Sequence, residues 1–159
     1  MSTRLIQSGA WRRGGVLLAV ALTWIMSVAT DEAPASRPVR DDPQLPPRSV
    51  IVLVASWCAP CRGELARLDT IAPAIGGRTL RVLAIDDSAA TARMLRVIDP
   101  ARVWRPDAGV EHVRALLLAR TAGLPFSVVT DARGAVCAQG NGGLDAHRAA
   151  ALVQHCASP

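Results

Sequence analysis

Val50-Ile51-Val52-Leu53-Val54-Ala55 is an uninterrupted apolar run rich in β-branched residues, and it reads as a strand buried on both faces. Helical spacing follows. Leu65, Leu68 and Ile71 or Ala72 share one face of a segment from Pro60 to about Ala74. Pro60 suits a first helical turn, where no N–H is needed, and Gly76-Gly77 ends the helix. Thr79–Ile85 returns to a strand pattern, and the helix between makes it parallel to the first strand. Ser88 can cap a helix running to about Val97, and Asp99-Pro100 breaks it. Ala101–Trp104 reads as a short extra strand. Val110–Ala119 reads as a helix with Val113, Leu116 and Leu117 on its apolar side. Phe126–Thr130 and Ala135–Gln139 are strands joined by the tight turn Asp131-Ala132-Arg133-Gly134. Gly142-Gly143 precedes a last helix to about Cys156. The order β-α-β, helical insertion, β-β-α predicts the α/β class: a mixed central sheet with helices on both faces. No internal repeat is visible.

The 159 residues suffice for one domain of ordinary size, and with half of them hydrophobic a packed core needs no staples. The pattern divides the chain at 1–29, 30–49 and 50–159. Arg4, Arg12 and Arg13 form a positive start, Gly14 to Ala29 is uncharged and mostly apolar, and Ser27-Val28-Ala29 offers small residues for signal cleavage. A second cleavage point follows Ala33-Pro34-Ala35. The apolar run is slightly short for a membrane span, so a cleaved signal peptide is the first reading and an uncleaved membrane anchor the second. Arg12-Arg13 matches a twin-arginine signal poorly, because Gly14-Gly15-Val16 follows it. Either way the domain is exported, which implies the periplasm or the periplasmic face of the inner membrane. Residues 30–49 hold Pro34, Pro38, Pro43, Pro46 and Pro47 with clustered charge, and read as an extended linker. All 18 basic residues are arginines; three lie before Gly14, and the others nearly balance the 13 acids. With one Phe, no Tyr and no basic stripe, nothing supports a nucleic-acid partner.

The chemistry concentrates in Ser56-Trp57-Cys58-Ala59-Pro60-Cys61-Arg62. A C-x-x-C between a strand and a helix puts Cys58 at the helix N-terminus, where free amides and the helix dipole favour a thiolate. Cys61 lies one turn on, close enough to close a small ring. A thiolate is the species that attacks disulfides, so the motif points to dithiol–disulfide exchange with no cofactor beyond the Cys58–Cys61 disulfide. The rival readings are half of a zinc site or two core cysteines. Zinc needs two further ligands, and Cys137, Cys156, His112, His147 and His155 form no second knuckle or H-x-x-x-H; no metal site is expected.

Cys137 and Cys156 are left over, each solitary in the sequence. In an exported protein two such cysteines tend to pair, and a return of the last helix could bring Cys156 near the strand holding Cys137. The opposing reading makes Cys137 a small core residue and Cys156 a free thiol on a frayed helix end.

The domain resembles the thioredoxin superfamily, and within it the TlpA/ResA-type exported thiol–disulfide oxidoreductases. Ile51 to Glu64, with its W-C-x-P-C-R-x-E pattern, carries the resemblance, together with Val82-Leu83-Ala84-Ile85-Asp86 and the Gly123-Leu124-Pro125 strand entry that ends in Asp131–Gly134. The resemblance implies a thioredoxin-like fold from about Ser49 to the end. It implies Cys58 as the solvent-facing attacking cysteine, Cys61 as the buried resolving one, and Pro125 as a cis-proline against the dithiol. Leu124 then offers its backbone to a bound peptide, and Trp57 shields the dithiol unless it is a core residue. Thioredoxins carry a buried acid six residues before the first cysteine; Val52 stands there, which leaves Glu64 as the proton acceptor for the buried thiol. An ordinary solvated helix glutamate is the alternative.

Two further departures bear on the fold. Ala66 replaces the proline usual two residues after the glutamate, so the helix kink is expected to be absent, and the hairpin usually ahead of the first strand is replaced by the Pro-rich segment. The implied activity is disulfide reduction in client proteins, with a membrane electron donor to regenerate the dithiol. The alternatives are an oxidase or isomerase of the same fold, and a redox-inert binding module.

Overall fold

The computed structural model describes residues 45–107 and 109–157; the expected leader or anchor and the linker up to residue 44 lie outside them. Strand β1 (Ser49–Val54) is buried along its whole length. It pairs in parallel with β2 (Thr79–Ala84) and antiparallel with β3 (Phe126–Thr130), and β3 pairs antiparallel with β4 (Val136–Asn141). The sheet order is β2-β1-β3-β4, a mixed sheet as the pattern predicts. The unbroken apolar run of β1 follows from having neighbours on both edges and cover on both faces. Val50, Val52 and Val54 point into one core cluster with Leu68, Ile71, Ile75 and Ala149; Ile51 and Leu53 point into the other with Val113, Leu117 and Phe126.

Helices α1 (Ala59–Leu65), α2 (Leu68–Ile71), α3 (Ala89–Leu95) and α5 (Ala146–Ala157) contribute buried side chains to the first cluster, and α4 (Val110–Leu118) to the second. α3 begins as read, with Ser88 Oγ accepting the Thr91 amide at 3.1 Å. Inside α4, Arg114 is buried and fastens the end of β2. Its Nε donates to the Ala84 carbonyl at 2.9 Å and its guanidinium to Asp87 at 2.6 and 2.9 Å.

Three local expectations are corrected. The segment from Pro60 is not one helix. It breaks after Leu65 although no proline stands at the break, where the Arg67 amide tightens onto the Glu64 carbonyl at 2.9 Å, and it finishes as a 3-10 turn over Ala72–Ile75. Ala101–Trp104 is not a strand, because Pro100 starts a 3-10 turn capped by Asp99 (Oδ1 to the Ala101 amide, 2.9 Å); Val103 alone makes a bridge, to Val82. The packed domain also begins earlier than Val50. Leu45 is buried, the Thr130 hydroxyl donates to the Pro46 carbonyl at 2.6 Å, and the Arg48 amide donates to Asp131 O at 2.8 Å.

Leu45 is held by the turn before β4. Asp131 Oδ1 accepts the amides of Arg133 (2.7 Å) and Ala135 (2.9 Å), and Gly134 closes the turn at φ +81°. A Cβ at Gly134 would run into the Leu45 carbonyl oxygen, so both the dihedral and the contact demand glycine. Gly134→Ala should therefore cost at least about 2 kcal/mol of unfolding free energy, measured by denaturant titration.

Candidate active site

Strand β1 delivers the chain to the dithiol. Cys58 is the N-cap of α1, with extended backbone (φ −84°, ψ 97°), and its Sγ accepts the Cys61 amide at 3.2 Å. The same amide also donates to the Cys58 carbonyl at 3.1 Å, so the sulfur shares a first-turn amide at the positive end of the helix, an arrangement that favours the anionic form once the bond is reduced. Pro60 occupies the first turn, where its missing N–H leaves no gap. Cys58 and Cys61 are joined as a disulfide with Cα atoms 5.3 Å apart.

Access to the two sulfurs is unequal but narrow. Cys61 is fully buried and Cys58 is only 4% exposed, so Cys58 is less solvent-facing than the resemblance implies. Both belong to the core cluster that Leu124 packs against. Trp57 is 68% exposed and is not a core residue. It turns outward as an apolar surface directly ahead of Cys58.

The Leu124–Pro125 peptide bond is cis and Pro125 is buried. The Pro125 carbonyl accepts the Gly142 amide at 2.9 Å, whereas the Leu124 backbone N–H and C=O have no partner among the described residues. A backbone donor and acceptor left open next to a strand can pair with an extended peptide.

Glu64 departs furthest from the solvated-helix alternative. It is fully buried; Oε1 accepts the Leu144 amide at 2.8 Å, and Oε2 has no partner among the described residues. Burial pushes its carboxyl up to about 7, against the Leu144 hydrogen bond and the positive fields of Arg67 and Arg148. It sits one helical turn beyond Cys61, at the i,i+3 spacing that puts side chains on one face. A half-protonated carboxyl near neutral pH is suited to taking and returning a proton. Val52 is fully buried, so that strand position supplies no acid.

Cys137 on β4 and Cys156 on α5 are joined, with Cα atoms 5.0 Å apart. Cys137 is exposed and Cys156 half-buried, at the sheet edge remote in sequence from the dithiol. The bond closes a loop with a sequence separation of 19 residues. Replacing both cysteines with alanine should lower stability by about 3 kcal/mol in the chain-entropy picture and leave dithiol exchange at its wild-type rate, read by denaturant titration and a turnover assay.

Three contributors escaped the sequence reading. Leu144 acts through its backbone amide, which no side-chain pattern signals. Asp86 lies just beyond β2. Burial raises its carboxyl, but hydrogen bonding from Ser88, Thr91 and Trp57 outweighs this and holds it below the ordinary range. Thr91 is buried and its hydroxyl accepts the Ser56 amide at 2.9 Å. Its only trace in the sequence is the Ser-x-x-Thr spacing at the start of a helix.

No family model matches the chain, and no curated protein matches it. Solved structures do. A thioredoxin-related protein from Neisseria meningitidis serogroup B superposes with a TM-score of 0.52 at 21% identity, covering 72% of this chain and 89% of its own. MTB DsbF, in its mixed oxidized and reduced forms, gives 0.51 at 17% identity over 70% of this chain and 82% of its own. A thiol:disulfide interchange protein of the thioredoxin family from Chlorobium tepidum TLS gives 0.51 at 22% identity, over 69% and 79%. The domain has the thioredoxin fold. Within that fold the C-x-x-C follows the central strand and opens α1, and the Leu124–Pro125 loop enters the neighbouring strand β3. The fold therefore brings Trp57, Cys58, Cys61, Leu124 and Pro125 to one end of the sheet, and Cys137–Cys156 to its β4 edge.

Proposed function

We propose that this domain is an exported thiol–disulfide oxidoreductase that reduces disulfides in client proteins. The observation that carries the reading is the N-cap position of Cys58, whose sulfur accepts the Cys61 amide while Cys61 itself is buried. The reduced Cys58 thiolate attacks one sulfur of a client disulfide. A Cys58–client bond forms and one client thiolate leaves. Cys61 then loses its proton, for which Glu64 is the nearest acceptor in the sequence, and attacks Cys58 Sγ. The Cys58–Cys61 bond closes and the second client thiolate leaves. Two electrons pass from the dithiol to the client, and no cofactor beyond the cysteine pair is required. A membrane electron donor would return the pair to the dithiol.

Trp57 and the open Leu124 backbone support a client held as an extended segment beside the sulfur. Export rests on the leader-like residues 1–29, which implies the periplasm or its membrane face, with an uncleaved leader serving as anchor. In an oxidising compartment a dedicated dithiol exchanger is useful chiefly as a reductant.

The test is glutathione-coupled reduction of insulin together with the reduction potential of the pair. Turnover with a potential near about −270 mV is expected, and a value near about −120 mV would make the domain an oxidant instead. Absence of exchange in both directions would leave a redox-inert binding module.

A further inference from the structure

We propose that Thr91 is a positioning residue for the dithiol: its hydroxyl clips the chain just before Cys58 to the start of α3. This rests on the redox reading of Cys58 and Cys61 and adds a residue to it.

Residues 55–57 connect the end of β1 to the helix cap. Within this stretch the Cys58 amide donates to the Ala55 carbonyl at 3.1 Å, a turn that moves with the segment and fixes it to nothing. The tie to a separate element is the Ser56 amide, which donates to Thr91 Oγ1 at 2.9 Å across 35 residues of sequence. Thr91 is itself held. Its amide donates to Ser88 Oγ and the Ser88 hydroxyl donates back to Thr91 Oγ1, both at 3.1 Å. Asp86 Oδ1 accepts the Ser88 amide at 2.9 Å, next to this pair. One buried oxygen thus links the pre-cysteine segment to the α3 cap.

Packing alone gives no reason for a hydroxyl there. Thr91 is 1% exposed and lies one helical turn before buried Leu95, a place where valine has the same shape without a polar atom to satisfy. The Ser56 amide supplies the reason: without the hydroxyl, that donor loses its partner and the segment loses its anchor. Cys58 Sγ is aligned with the Cys61 amide only while the segment behind it is fixed, so losing the anchor weakens the support for a thiolate.

The experiment uses the reduced full chain. Iodoacetamide labelling of Cys58, mapped by mass spectrometry, is followed across pH for wild type, Thr91→Val and Thr91→Ser. Arg62 and Glu64 on α1 and Asp86 after β2 are unchanged in all three, so a moved profile reports position rather than a lost charge. The Thr91→Val midpoint is expected to rise by about half a pH unit, which is about threefold slower labelling below it, with Thr91→Ser restoring the wild-type profile. A wild-type midpoint below that of a free thiol (about 8.5) with Thr91→Val superimposed on it overturns the clip and leaves the redox reading standing. A wild-type Cys58 that titrates as a free thiol overturns both. Should Thr91→Val not fold, amide exchange in the wild type decides. A protected Ser56 N–H is expected, and exchange at the rate of an open chain overturns the proposal.

Discussion

Cys61→Ser will accumulate a Cys58-linked mixed disulfide with client proteins, and Cys58→Ser will accumulate none. Both will lose turnover by on the order of 10³-fold or more, as removal of a covalent nucleophile or its resolving partner does. The asymmetry is the informative part. Cys61 has no exposed surface, so a client disulfide reaches Cys58 first, and the serine at 61 leaves the intermediate with no thiolate to resolve it. Non-reducing electrophoresis of the two variants after exposure to oxidised clients checks this. Equal trapping by both would reverse or erase the assigned roles.

Glu64→Gln will raise stability at alkaline pH and slow the resolving step. The sign follows from linkage. The folded-state pKa, about 7, lies above the ordinary 4.5, so the group's contribution to stability is full below about pH 4.5 and is lost as pH rises through about 7. A rise of that size corresponds to roughly 3 kcal/mol between the two ends of the window. Glutamine keeps an acceptor for the Leu144 amide and cannot ionise, but its NH₂ takes the place of Oε2, which has no partner among the described residues. Subtracting that orphan donor leaves a gain of about 1–2 kcal/mol at pH 8, and the fall in stability between pH 4.5 and 7 flattens. The catalytic readout is separate. Release of client from the Cys58-linked intermediate slows and loses its pH dependence near neutrality, measured by quenched-flow. A variant with wild-type release across pH makes Glu64 a bystander to the chemistry, whatever it does to stability.

The parts of this molecule written in local pattern were legible before any coordinates. β1 is an apolar run, β2 and β3 are mostly apolar strands bounded by turn residues, and α4 carries Val113 and Leu117 to the core at helical spacing. The C-x-x-C sits where a strand hands over to a helix, which gives its chemistry a place as well as a motif. What pattern hid depends on partners distant in sequence. Glu64 looks like any helix glutamate, and the amide that meets its buried carboxylate belongs to Leu144, 80 residues away. Thr91 is one of several small residues in a short helix until the Ser56 amide meets it. Leu45 reads as part of a proline-rich connector because the turn that receives it at Gly134 lies at the other end of the domain's sequence. The break after Leu65 escaped for another reason. Proline is the sequence signal for a helix interruption, and here a tightened turn at Arg67 makes the break without one.

The fastening of Leu45 and Pro46 beside Thr130 also sets the direction in which this domain is handed to its surroundings. The chain enters at the Ser49 end of β1 and the sulfurs lie past Val54, so the strand spans the distance between them, about 17–20 Å at ordinary strand rise. Leu45 therefore lies at the pole of the described domain away from Cys58 and Cys61.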